Sequence, residues 1–157
     1  MRTILKTLLI FALLGFGCGG EQDLTRTENR DAAEKTARMA AQKLTGTLLG
    51  EVQRAMKEGG AANAVRTCAE KAQPLTAAVA GEYGVTIRRV TGKTRNPLDA
   101  PDDYERRVLS RFAALHAEGK LTPETTHAEM TEVDGMNSLR FMKPITMKKP
   151  CLACHAY

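Results

Sequence analysis

The longest regular pattern in the chain constrains its fold most. From about Asn29 to Lys57, the residues Ala37, Ala41, Leu44, Leu48, Val52 and Met56 recur at spacings of three and four. That spacing puts an apolar stripe on one long helix, and Gly59-Gly60 stops it. Gly46 and Gly50 weaken the interior by about 1 kcal/mol each, which predicts a bend. A second helix is expected over about residues 61–80, with Val65, Cys68, Ala72, Leu75 and Val79 on its inward face and a kink at Pro74. Aromatic residues make up only 4% of the 157, with no Trp, so small and aliphatic side chains must fill the core.

After Gly84, the β-branched run Val85-Thr86-Ile87-Arg88-Arg89-Val90-Thr91 reads as a strand, and residues 95–101, with two prolines, as a loop. Asp102 or Asp103 can cap a third helix over about 102–118, with Tyr104, Val108, Leu109, Phe112 and Leu115 as its buried stripe and Gly119 as its end. The runs His127–Val133 and Asn137–Met142 flank Asp134-Gly135, a hairpin signal. Helices, strand, helix and hairpin in that order make an α+β domain.

At the N-terminus, Arg2 and Lys6 precede the apolar run Leu8–Leu14 and the small residues before Cys18, the pattern of a secretory signal over residues 1–17. The run is short of the roughly 20 apolar residues that cross a bilayer. The competing reading is a buried core segment. Gly17-Cys18 resembles a bacterial lipoprotein processing site, although Gly15 stands where that pattern usually has Leu. Cys18 would then carry lipid, residues 18–28 would form a flexible tether, and residues 29–157 the folded domain. The net charge is +5, and no basic run exceeds two residues, so nothing argues for nucleic acid.

The chemistry-bearing motif is Cys151-Leu152-Ala153-Cys154-His155, which fits the Cys-x-x-Cys-His pattern of covalent c-type haem attachment. Two thiols at this spacing can each add to one vinyl group of a porphyrin, and the adjacent imidazole then sits under the iron. Competing readings are a zinc site completed by Cys68 with His116 or His127, a dithiol redox pair, and a structural disulfide. A sixth iron ligand could come from Cys68, His116, His127 or a methionine. With two cysteines on the porphyrin and one on lipid, Cys68 is left over. It could equally be a small buried hydrophobe. Arg89 and Arg95 are candidates to pair with haem propionates, since guanidinium forks match carboxylates, or are ordinary exposed arginines.

Arg88-Arg89, then Arg95-Asn96-Pro97 with Asp99, Pro101 and Glu105, then Arg140-Phe141-Met142-Lys143-Pro144-Ile145 and the Cys151–His155 motif resemble a bacterial family of PAS-like c-type haem domains. The resemblance covers about residues 30–155. It implies a PAS-like antiparallel sheet packed against long N-terminal helices, with one covalent haem c whose iron is held by His155 and by the sulfur of Cys68. A thiolate ligand would favour ferric iron and a low potential. His116 and His127 would then have surface or supporting roles. In that family further strands follow the motif, whereas here only Ala156 and Tyr157 do, so the sheet is expected to lack C-terminal strands. The expected function is electron transfer or haem-based redox or gas sensing rather than catalysis. The expected location is the periplasm, on a lipid anchor in the membrane, with a redox or signalling protein as partner. The alternatives are a peroxidase-like haem enzyme and a structural lipoprotein whose motif cysteines form a disulfide.

Overall fold

A computed structural model describes residues 20–94, 96–147 and 151–152. Helical backbone runs over Gly20–Tyr83 and is broken at Gly59 (φ −157°, ψ 22°) and Gly60 (φ 66°, ψ −162°), which divide it into α1 (20–58) and α2 (61–83). Lys71 Nζ lies 3.1 Å from Glu51 Oε2, and Lys43 Nζ 3.8 Å from Glu82 Oε1, so the two helices run antiparallel. At the turn, Asn63 Nδ2 donates to the Ala55 carbonyl at 3.0 Å, a partner for a group that the end of α1 leaves open.

The seam between α1 and α2 is made of small residues. Ala40, Leu44 and Ala55 face Ala64, Ala72 and Val79, all buried. Thr76 is buried with them, and its hydroxyl donates to the Ala72 carbonyl at 2.7 Å, so it brings no unmet polar group. This is how a chain without Trp builds a helical core: alanines let the backbones approach closely.

The structure corrects three expectations here. Residues 20–28, assigned above to a flexible tether, are helical. Nothing between Glu21 and Arg30 breaks a helix that is already nucleated downstream. Second, α2 keeps helical backbone through Pro74, which is exposed, so water can meet the carbonyl that the ring leaves without a donor. Third, Val65 (51% exposed) and Cys68 are exposed rather than buried in the seam. The residues of α2 that it buries are Ala64, Ala72, Thr76 and Val79.

Residues 85–91 do not form a strand. They pair with no strand among the described residues, and two of their polar groups bond to the next loop instead. Thr91 N–H donates to the Asp99 carbonyl at 3.2 Å, and the Arg88 guanidinium donates to the carbonyls of Leu98 (3.3 Å) and Ala100. That loop holds a 3₁₀ turn, Pro97–Asp99, capped by the Asn96 side chain.

The third helix, α3 (Asp103–Ala117), starts where the sequence places it, with Asp102 as N-cap and a reciprocal bond from Glu105. Strands β1 (His127–Val133) and β2 (Met136–Met142) pair antiparallel, from His127 opposite Met142 to Val133 opposite Met136. Asp134 (φ 51°) and Gly135 (φ 77°) close them in a two-residue turn whose positive φ values match strand twist. Tyr104, Val108 and Phe112 of α3 form a second core with Leu115, Leu121 and Met142. The Arg38 guanidinium lies 5.5 Å from the Phe141 ring centre and joins α1 to β2. The architecture is α+β, with long helices and a partial sheet that has two strands among the described residues.

Candidate functional site

The candidate ligands sit on two chain arms. Cys68 rides on α2 and is exposed, although Ala64 and Ala72, one turn to either side, are buried. The thiol therefore lies within the buried arc of the helix, at a level where that arc opens. There α1 presents the Glu51–Arg54 pair (2.9 Å), and Glu51 also takes Lys71 of α2. The second arm leaves β2 at Met142, is held by a bond from Lys143 to the Pro123 carbonyl, and reaches Cys151, which is half-buried. Cys154, His155, Arg95 and Cys18 lie outside the described residues.

Large apolar side chains remain uncovered on both arms. Val65 is 51% exposed beside Cys68, and Ile145, Met147 and Leu152 are 65%, 54% and 50% exposed around Cys151. Exposed apolar side chains near each of the two cysteines along the chain suit a flat, apolar, metal-bearing ligand that would cover them. The residues present fit a haem.

At the head of α3 lies a cluster to which the sequence analysis assigned no site role. Glu105 is 4% exposed, and its Oε2 accepts the Asp102 backbone N–H at 2.9 Å. Its Oε1 faces Arg88 Nε at 3.6 Å and Arg140 Nη2 at 3.4 Å. Arg140 also reaches Asp102 at 2.7 Å, and its guanidinium lies 4.1 Å from the Tyr104 ring centre. Tyr104 donates its hydroxyl to the Arg140 carbonyl at 3.2 Å. Burial, reinforced by the Glu129 charge, pushes the Tyr104 phenol above its usual value, which keeps that donor protonated. The sequence signal was the Asp-x-x-Glu spacing at the head of α3, which marks a capping box but says nothing of the arginines that meet it.

Burial alone would push the Asp102 carboxyl up. The Glu105 N–H and the charges of Arg140 and Arg88 outweigh that and hold it below 3.8. The cap therefore stabilises fully above the ordinary carboxylate range and is lost as pH falls through the lowered folded value. Asp102→Ala is expected to cost about 1 kcal/mol at neutral pH. Urea titrations at several pH values check this: the gap from the parent should shrink below pH 3.8, whereas a gap constant with pH would remove the charge from the account.

Arg89 is half-buried, and among the described residues no carboxylate lies within 4.0 Å of it. His127 is held by Arg111 (3.2 Å) and Glu129 (3.4 Å) beside Tyr104, and His116 is exposed in the last turn of α3. Among the described residues no three His, Cys, Asp or Glu side chains converge as a metal site, and no helix is long and apolar enough to cross a membrane.

Compared with known proteins, residues 26–157 match the family model described as Tll0287-like: Tll0287. No curated protein and no solved structure matches the chain.

Proposed function

The chain belongs to the Tll0287-like family, one of cytochrome-like haem domains, and from this premise we propose an exported c-type haem protein that works in electron transfer or in haem-based redox or gas sensing. The observation that carries the reading is the Cys151–His155 motif combined with an exposed thiol, Cys68, set in an otherwise buried helix face. Bound haem supplies a one-electron iron couple.

Cys151 and Cys154 would hold the haem by thioether links, each thiol adding across one vinyl group with its hydrogen passing to the other vinyl carbon, and the His155 imidazole and the Cys68 sulfur would serve as ligands to its iron. A negative sulfur donor favours the ferric state and lowers the potential. Arg89, half-buried, would pair its guanidinium with a propionate. Gas sensing would proceed by displacement of Cys68, and electron transfer with Cys68 retained. The signal over residues 1–17 and lipid on Cys18 would put the domain in the periplasm on a membrane anchor, with a redox or signalling protein as partner. This reading makes the chain a carrier or sensor and not a catalyst.

Protein exported from a host competent in cytochrome c maturation is expected to give the c-type pyridine haemochrome band, and its absence would leave the disulfide reading. Cys68→Ser is expected to shift the Soret band, raise the high-spin fraction and raise the midpoint potential. If all three stay at the parent values, Cys68 does not ligate the iron.

A further inference from the structure

We infer that Glu105 is a positioning residue for the iron site: its buried carboxylate ties the arm that follows Cys68 to the strand that leads to Cys151. The inference rests on the haem reading above and adds to it the device that brings the two ligand-bearing arms into register.

Glu105 is 4% exposed at the head of α3, and one of its oxygens faces two guanidiniums, Arg88 at 3.6 Å and Arg140 at 3.4 Å. Arg88 belongs to the extended segment after α2, and Arg140 to β2. The joint thus links two segments remote in sequence through a third. Its strength comes from the carboxylate side, since Glu105 is buried while the Arg88 and Arg140 side chains stay 45% and 26% exposed, and losing both guanidiniums would leave a buried charge uncompensated. By contrast, the pair between α1 and α2, Lys43–Glu82, is about half exposed on both sides and contributes little. Because α2 keeps helical backbone from its start to Tyr83, pinning the segment at its exit orients the whole rod, Cys68 included. An exposed thiol is delivered to the metal by the placement of its helix, and Glu105 governs that placement.

The test uses the loaded full chain. Glu105→Gln keeps the size and an acceptor for the Asp102 N–H but removes the charge. The ratio of Cys68-ligated to unligated iron, read from low-spin and high-spin signals in absorbance and electron paramagnetic resonance, is expected to fall about ten-fold. Glu105→Asp, which keeps the charge, is expected to recover part of that ratio. Asn63→Ala, at the α1–α2 turn, serves as a control that loses stability but leaves the spectrum unchanged. Should Glu105→Gln fail to fold, Arg88→Lys keeps the charge, removes the fork and is read in the same way. An unchanged Glu105→Gln spectrum alongside a changed Cys68→Ser spectrum overturns this inference and leaves the haem reading standing. An equal spectral change in Asn63→Ala also overturns it, because general loosening would then suffice. A colourless parent protein overturns both.

Discussion

Phe112→Ala is expected to lower the unfolding free energy by about 3–5 kcal/mol, a large fraction of what a domain of this size has. Phe112 is 5% exposed and is the largest apolar side chain in the cluster with Tyr104 and Val108, where α3 meets Met142 of β2. The one aromatic neighbour in that cluster, Tyr104, is tied to Arg140 through its hydroxyl and its ring face, so it is not free to swing into the space. The cavity would stay open and the hairpin would lose its hold on α3. Phe112→Leu, which refills most of the volume, should recover a good part of the loss. Urea unfolding of both variants is the measurement. A loss below about 1 kcal/mol for the alanine variant would mean that α3 is held by its polar cluster and not by this core.

The second large effect is expected at Gly60. Its φ of 66° with ψ of −162° lies in a region that is essentially closed to residues with a Cβ. Gly60→Ala should cost about 1–3 kcal/mol, because the turn either stores that strain or opens and separates the helices. The neighbouring Gly59 is constrained in another way, since a Cβ there would lie 2.8 Å from the Asn63 Cβ. Gly46 provides the contrast. It is helical and exposed, with open space where a Cβ would go, so Gly46→Ala should stabilise by up to about 1 kcal/mol. Thermal unfolding of the two variants should therefore move in opposite directions. A shift in the same direction would show that the break at Gly59-Gly60 is not the point on which the helical hairpin turns.

Much of the local structure was legible because it depends on short-range chemistry. The helix stop at Gly59-Gly60, the Asp102 cap with Glu105 three residues on, and the Asp134-Gly135 turn each depend on residues within a few positions of one another. Residues 85–91 failed that rule: they have strand composition, yet their partners lie in the loop around Leu98 and Ala100. β-Propensity marks an extended, half-buried segment, and whether a neighbouring strand exists is a tertiary matter. Cys68 failed in a different way. Its periodicity places it with Ala72 and Val79, yet the fold buries those two and leaves the thiol on the same arc exposed.

The site divides along the same line. The Cys-x-x-Cys-His spacing is a property of five consecutive residues, so the proposed attachment chemistry and class of cofactor are read from sequence by itself. It also determined the α+β order of elements. Only the tertiary structure decided that Arg88 and Arg140, distant along the chain, share the buried carboxylate of Glu105, and that Cys68 stays exposed between buried neighbours. The reason is the range of the forces involved. Capping, turn and motif chemistry act between near neighbours, whereas ion pairing in a dry interior depends on which surfaces the folded chain brings together and which it leaves to water.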